Sequence, residues 1–215
     1  MTAAESGSAE GKIDRLINKM EDSEQKTATR LAAHCNLRRK ETTEITPNDI
    51  VESEAGITFF RVREEVAKHD HYREVPVSPT LANKLEPYIE FNVNGDDAPL
   101  VDVHDKTVCR WVMRATARLE EQIDDDGWGY VNVYDLRRSW GTHLLEQGVL
   151  PSVLMSWGGW RDWTTFRDHY LGEFSPKVVE RERQEVNFLA EGEPIDAEPM
   201  VHGIPSGGGY AHGDD

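Results

Sequence analysis

Apolar residues recur at helical spacing through most of the chain. In residues 105–122, for example, Val108 and Val112 fall on an apolar face and charged residues fill the opposite one, which predicts a long amphipathic helix. Ser78 is a typical residue before a helix and Gly148 a typical residue after one. The same reasoning predicts helices over residues 12–20, 22–35, 79–89, 105–122, 134–145, 153–157, 160–170 and 176–189.

One region follows a period of two instead. Residues 57–63 and 73–77 alternate apolar and polar side chains, as half-buried strands do, and residues 64–72 form a polar loop between them. Residues 46–49, Thr-Pro-Asn-Asp, form a turn ahead of the first strand. The predicted fold is α+β and mostly helical, with a small antiparallel β-sheet near the N-terminal third.

The ends of the chain differ in composition from its middle. Residues 1–10 are small and polar, and residues 190–215 are rich in glycine, proline and acid, so both are expected to be disordered. Residues 11–189 would then form one domain, for which 38% hydrophobic residues supply enough core. No run is apolar enough for an export signal or a membrane span, which favours a cytoplasmic protein.

The net charge of −16 argues against a nucleic-acid partner, because DNA-binding domains usually carry a basic footprint. The 40 acidic residues are spread along the chain, however, as on proteins that work in concentrated salt. At molar salt the Debye length is about 3 Å, so distant carboxylates would scarcely repel a phosphate held in contact. The charge therefore weighs little against DNA binding in such an environment.

Metal and redox chemistry find little support in the sequence. Cys35 and Cys109 belong to no ligand motif and are expected to be buried thiols in a reducing compartment. Residues 69–71, His-Asp-His, are a poor chelate without a second cluster, and residues 124–127 lack the alternating ligands of a calcium loop. No metal or other cofactor is expected.

The densest set of functional motifs lies in residues 132–170. Its first helix opens with Tyr134-x-x-Arg137 and continues Thr-His-Leu-Leu, and a Gly-Trp step and Tyr170 follow. Residues 36–41, Asn-Leu-Arg-Arg-Lys-Glu, precede it. In this order the motifs resemble the signature of the tyrosine recombinases, also called phage integrases. The segment GGWRDWTTFRDHYLG is similar to sequences of integrases from halophilic archaea and their viruses.

The resemblance covers residues 22–189 and implies a role for each matching position. Two arginines would bind the scissile phosphate, and a glutamate would orient the first of them. A hairpin lysine would protonate the leaving 5′-oxygen, and a tryptophan would donate a hydrogen bond to the phosphate. A tyrosine would attack the phosphorus to form a 3′-phosphotyrosyl bond without metal or ATP. The two arginines are Arg38 and Arg137, and the glutamate is Glu41. The lysine is Lys68, the tryptophan is Trp160 and the attacking tyrosine is Tyr170, with Tyr134 in the remaining catalytic position.

Three positions depart from the family pattern. Tyr134 stands where histidine is usual, and a phenol is a poorer proton shuttle near neutral pH. Trp160 precedes Tyr170 by ten residues instead of nine, which implies either a one-residue insertion or a different occupant of that position, such as Gly159 or Arg161. Asn36 replaces a glycine, which is tolerable because asparagine also accepts a left-handed backbone.

The resemblance implies a site-specific DNA recombinase or integrase of a virus, plasmid or mobile element, acting on double-stranded DNA. A catalytically weak or inactive DNA-binding regulator on the same fold and a type IB topoisomerase-like enzyme are the alternatives. Only about twenty residues precede the helix that leads to Arg38, so the family's N-terminal DNA-gripping domain is expected to be absent. Binding would then rely on a homodimer or tetramer on DNA, or on a helper DNA-binding protein, and residues 177–189 are the segment expected to dock onto a neighbouring protomer.

Overall fold

The computed structural model describes residues 9–67, 71–123, 126–171 and 176–186. The chain divides into two units, residues 1–173 and 174–215. The described part of the first unit is mainly helical and contains one three-stranded sheet, which confirms the predicted fold class. Its helices are α1 (Ala9–Asn18), α2 (Ser23–His34), α3 (Arg39–Thr42), α4 (Pro79–Asn92), α5 (Asp105–Ile123), α6 (Val133–Glu146), α7 (Pro151–Gly158) and α8 (Trp163–Tyr170), with 3-10 turns at Pro47–Asp49 and Asp126–Tyr130.

Helix α2 lies at the centre of the helical packing, against α1, α5 and α6. The carboxylate of Asp22 caps it by accepting hydrogen bonds from the backbone N–H (2.8 Å) and side chain (2.9 Å) of Gln25. Ala28 and Leu31 are fully buried. The end of α2 is thereby fixed in the core, which also fixes the position of residues 36–41 that follow it.

The sheet is antiparallel, in the order β1 (Ile50–Glu52), β2 (Thr58–Val62) and β3 (Arg73–Pro76). Phe60 of β2 lies opposite Val75 of β3, and both are fully buried. Strand β1 escaped prediction because three residues are too few to show alternation. The hairpin residues 68–70, which include Lys68, lie outside the described residues.

The segment that carries most of the motifs forms three helices separated by short turns. Asn132 caps α6 by accepting from the backbone N–H of Tyr134, and Gly159 ends α7 in the left-handed conformation at φ 66°. Asp162 accepts from the N–H of Thr165 at 2.6 Å, so α8 begins at Trp163 and not, as predicted, at residue 160. Residues 160–162 form the turn between α7 and α8.

In the second unit the described residues form one helix, α9 (Pro176–Glu185). Its helical residues end before the predicted limit at 189, and residues 187–189 lie outside the described residues, as do the predicted tail at 190–215 and residues 1–8 of the predicted disordered N-terminus. Residues 9 and 10 belong to α1. Among the helices that the structure describes, none is long and apolar enough to cross a membrane.

Candidate active site

Arg38 and Glu41 form a compact corner between α2 and α3. Asn36 turns the chain with φ 52°, in the left-handed region expected for this position. The buried carboxylate of Glu41 accepts hydrogen bonds from the backbone N–H of Arg38 at 2.6 Å and from its guanidinium at 2.8 Å. Glu41 thus holds Arg38 in place, while about a quarter (26%) of the Arg38 side chain stays exposed.

A third arginine, not predicted as a site residue, completes this corner. Arg73 of β3 is buried and donates two hydrogen bonds to Glu41, at 2.9 and 2.6 Å, and its Nε donates to the carbonyl of Trp157 at 3.2 Å. The bidentate pair is the strongest geometry between guanidinium and carboxylate. The available signal was an arginine two residues before Val75, on the inward face of an alternating strand.

The two guanidiniums set the ionisation of Glu41. Burial alone would raise the pKa of its carboxyl, but the hydrogen bonds from Arg73 and the charges of Arg73 and Arg38 lower the pKa to about 2. Glu41 is therefore ionised at neutral pH and neutralises one of the two arginines.

Arg137 projects from α6 into the same region. It is buried and donates hydrogen bonds to the backbone carbonyls of Asn36 and Gly158, the latter at 2.6 Å. Burial, together with the charges of Arg38 and Arg73, lowers the pKa of Arg137 to about 9, so it remains a cation at neutral pH. Arg38 makes a similar, longer contact with the carbonyl of Gly159, at 3.4 Å.

Trp160 lies between Arg137 and Tyr170. The guanidinium carbon of Arg137 is 4.9 Å from the centre of the indole ring, a cation–π distance. The ring centres of Tyr170, Phe166 and Trp140 lie 5.0, 5.3 and 6.5 Å away. Trp160 is thus part of an aromatic cluster that joins α6 to α8.

Tyr170 is the last residue of α8, and its ring is half-buried. The ring stacks on Phe166 with 5.1 Å between centres and lies against Gly141 of α6, where an added Cβ would come within 2.7 Å of its Cε1. Burial raises the pKa of Tyr170 to about 12, although Arg137 opposes the shift. Among the described residues, its hydroxyl has no hydrogen-bond partner.

A groove opens beside Arg38 and Arg137. Tyr134 lies at its edge with 56% of its surface exposed. Cys109 also lines the groove and is only half-buried, so the prediction of two buried thiols is right for Cys35 alone. The groove is lined by Leu37, Arg38, Arg39, Lys40, Glu41, Val66, Ala67, Cys109, Met113, Asn132, Val133, Tyr134 and Arg137.

Arg38, Arg73 and Arg137 form an arginine cluster, and Arg161 and His71 meet at another edge of it. The Arg161 guanidinium lies 2.8 Å from Nδ1 of His71, which is the residue two positions before Arg73. Burial and the charges of Arg161, Arg73 and Arg38 lower the pKa of His71, and Glu64 opposes the shift. No group of three potential metal ligands occurs among the residues with described positions.

Comparison with known proteins identifies the family and the fold of the chain. The sequence model of the phage integrase family matches residues 9–174. No curated protein sequence matches the chain. The fold resembles the crystal structure of XerA recombinase (17% identity, TM-score 0.61), covering 83% of this chain and 64% of that one.

Two DNA complexes have a similar fold. One is XerH site-specific recombinase bound to palindromic difH substrate in a post-cleavage complex (14% identity, TM-score 0.57, 81% of this chain and 51% of that one). The other is the Tn1549 transposon integrase with circular intermediate DNA (13%, 0.60, 83% and 66%). This chain spans between half and two thirds of the length of these three proteins. Because the family match covers most of the sequence, the chain belongs to the phage integrase family.

Proposed function

We propose that the protein is a site-specific DNA recombinase or integrase that cuts and rejoins DNA strands through a 3′-phosphotyrosyl intermediate. The observation that carries the proposal is the meeting of Arg38, Arg137 and Tyr170 around a single turn. Arg137 and Arg38 bind the carbonyls of Gly158 and Gly159, and the next residue packs against Tyr170. Three elements distant in sequence thus bring cations and a phenol together.

The proposed chemistry follows from these groups. A phosphodiester gains negative charge on its non-bridging oxygens as a nucleophile attacks in line, and fixed guanidiniums stabilise that charge. Arg38 and Arg137 supply these guanidiniums, and Glu41 orients Arg38. Tyr170 is protonated in the free protein, because burial raises its pKa to about 12. As its oxygen bonds to the phosphorus and the bond to the 5′-oxygen breaks, its proton passes to water. Lys68 is the proposed acid for the 5′-oxygen, and Tyr134 takes the position usual for histidine. The remaining hydrogen bond to the phosphate comes from Trp160 or from its neighbour Arg161.

Double-stranded DNA is the proposed substrate, in spite of the net charge of −16. Three exposed cations follow one another along α5 at four-residue spacing, and in the described part of the chain none is within salt-bridge distance of a carboxylate. Cys109 and Met113, each next to one of these cations, line the groove. The row therefore lies beside the site and can bind the DNA backbone. It consists of Lys106, Arg110 and Arg114.

The setting that we propose is a mobile element of a halophilic archaeon or its virus, with the protein acting on cytoplasmic DNA as a dimer or tetramer or with a helper protein. The spread of 40 acidic residues supports the halophilic setting. The Debye length falls from about 10 Å at 0.1 M to 3 Å at 1 M salt, so salt screens the repulsion between the acidic side chains of the folded protein. The free energy of unfolding should therefore rise over this range of KCl. A flat or falling stability in urea titrations would contradict the halophilic setting and leave the chemistry untouched.

A second candidate function, a DNA-binding regulator with little or no catalysis, is favoured by Tyr134. An exposed phenol replaces the usual imidazole at the groove edge and shuttles protons poorly near neutral pH. A type IB topoisomerase-like activity would share the covalent step but relax DNA without pairing two sites.

The deciding experiment is covalent capture on a duplex that carries the attachment site and a 5′-bridging phosphorothiolate. We expect an adduct with wild-type protein that maps to Tyr170 and is absent from Tyr170→Phe. Tyr130→Phe is the matched control, because the Tyr130 side chain is 83% exposed, and it should react like wild type. DNA binding without any adduct would favour the regulator, and relaxation without synapsis of two sites would favour the topoisomerase-like enzyme.

A further inference from the structure

We propose that Arg161 is a further phosphate-binding catalytic residue of this site and that His71 is its positioning residue. The inference rests on the proposed strand-transfer function and deepens it. It assigns the position nine residues before Tyr170 to Arg161 and gives Trp160 a packing role.

Trp160 is half-buried and packs against the core. Its indole packs against three aromatic rings and lies under the guanidinium of Arg137. Its six-membered ring approaches Gly158 so closely that an added Cβ there would lie 1.7 Å from Cζ3. These contacts fix Trp160 as the support on which Arg137 and Tyr170 rest.

Arg161 has the opposite environment. It is exposed and follows directly on the turn whose carbonyls, at Gly158 and Gly159, accept hydrogen bonds from Arg137 and Arg38. The backbone of Arg161 therefore adjoins the turn that Arg38 and Arg137, the two phosphate-binding candidates, contact. Its guanidinium is held at 2.8 Å by the ring nitrogen of His71, which lies two residues before the strand that supplies Arg73.

The charges nearby favour an anion at this point. Arg38, Arg73, Arg137 and Arg161 bring four positive charges to the region, and Glu41 is the carboxylate that the cluster shares. Glu64 is the acidic group that acts on His71. A phosphate whose charge increases during attack would be stabilised by a forked guanidinium more than by a neutral indole.

His71 can hold Arg161 only as a neutral imidazole, because Nδ1 must accept the guanidinium proton. Burial and the charges of Arg161, Arg73 and Arg38 lower the pKa of His71 below its ordinary value of about 6.5, which keeps the ring neutral at pH 7. When the ring is protonated, two cations face each other at hydrogen-bond distance and the contact is lost. Positioning should therefore be lost on acidification, once the imidazole is protonated.

The test measures the rate of adduct formation on the phosphorothiolate duplex and, separately, the affinity for the same duplex. The phosphorothiolate leaving group needs no proton, so a loss of rate reports on phosphate stabilisation and not on the general acid. Arg161→Ala is expected to slow the reaction by about 10²- to 10³-fold, the usual effect of deleting one such donor. The affinity should change by less than about threefold. Arg167→Ala removes an exposed arginine of α8 that pairs with Asp168, and it should react like wild type.

The histidine variants separate positioning from packing. His71→Ala should lower the rate by about tenfold at pH 7, whereas His71→Gln, whose amide oxygen also accepts from a guanidinium, should recover most of it. His71→Gln should also remove the decline of rate on acidification, because an amide does not titrate. A merely structural histidine would leave the shape of the pH profile unchanged.

The outcomes are distinguishable. If Arg161→Ala reacts like Arg167→Ala while Trp160→Phe loses activity, the phosphate donor is Trp160 and the inference is wrong. If the wild-type protein binds the duplex but forms no adduct, the proposed function fails and the inference fails with it. If Arg161→Ala loses affinity and rate in equal proportion, Arg161 contributes only to DNA binding, which also overturns the catalytic role.

Discussion

Glu41 shares one fully buried carboxylate between the guanidiniums of Arg38 and Arg73. Removing the carboxylate charge would leave a buried cation without a counter-ion, which typically costs about 3–5 kcal/mol. We expect Glu41→Gln to lower the free energy of unfolding by that amount in urea titrations at pH 7. Glu44→Gln, which removes a half-exposed partner of Lys40, is the matched control and should change stability by less than about 1 kcal/mol.

The same carboxylate predicts a pH dependence. The pKa of Glu41 is about 2 in the folded state and about 4.3 in the unfolded chain. Its contribution is fully present above pH 4.3 and is lost as the pH falls towards 2, by about 3 kcal/mol in all at 1.36 kcal/mol per unit. Other carboxylates titrate in this range, so the measurement is the difference between wild type and Glu41→Gln, which should shrink on acidification. A constant difference between pH 7 and pH 3 would show that the mutation acts through packing instead.

Asn36 is a second residue whose environment predicts an effect. It is fully buried at φ 52°, and in the described part of the chain neither its amide nitrogen nor its amide oxygen has a hydrogen-bond partner. Glycine accepts this backbone and carries no amide to desolvate, so Asn36→Gly should stabilise the fold by about 1 kcal/mol in thermal unfolding. Asn36→Ala is the control, because it removes the same amide but places a side chain in the left-handed region and should gain little or nothing. Destabilisation by glycine would mean that the amide has a partner.

At the scale of the elements, the sequence predicted the helices that a periodic apolar pattern marks. The apolar stripe of α5 and the capping residues Asp22 and Asn132 specify their helices locally. The start of α8 was misplaced because the apolar pattern runs through Trp160, whereas Asp162 is the capping residue. A cap is set by one hydrogen bond, which periodicity does not show.

The candidate site was predictable only as far as it matches a motif. Arg38 and Glu41 lie three residues apart, and their contact follows from the capping geometry of α3. Arg73 is 32 residues from Glu41, so their bidentate pair depends on how the sheet packs on the helices. The contact between Arg161 and His71 spans 90 residues and depends on the same packing. Long-range pairs of this kind leave no local signal in one sequence.

The contact between α6 and α8 predicts how precisely Tyr170 must lie. Because an added Cβ at Gly141 would approach its ring to 2.7 Å, Gly141→Ala should displace the tyrosine. We expect adduct formation on the phosphorothiolate duplex to fall by at least about tenfold, because small displacements of a reacting group cost rate steeply. Ser139→Thr adds one methyl group to the same helix, beside a different groove that α1 lines, and should retain the wild-type rate. Full activity of Gly141→Ala would show that the tyrosine relocates before it reacts.

At the scale of the whole molecule, the charge is unevenly distributed. The chain carries −16 overall, yet the arginine cluster and the exposed row on α5 are positive and adjoin one groove. An acidic surface with a basic groove directs a polyanion to that groove and disfavours it elsewhere, since potentials over the surface steer association. The net charge therefore does not conflict with a DNA substrate.

This distribution predicts the salt dependence of DNA binding. Each phosphate contact contributes about −0.9 to the slope of log K against log salt, because cations held at the DNA are released. If Arg110 and Arg114 each bind one phosphate, the double variant Arg110→Gln/Arg114→Gln should reduce the slope by nearly 2 and weaken binding most at low salt. Lys84→Gln removes an exposed cation of α4, outside the residues that line the groove, and should leave the slope unchanged. Fluorescence anisotropy with a labelled duplex between 0.1 and 1 M KCl measures both slopes. Equal slopes for the double variant and wild type would exclude the α5 row as a phosphate contact, and the groove would then bind DNA through the arginine cluster alone.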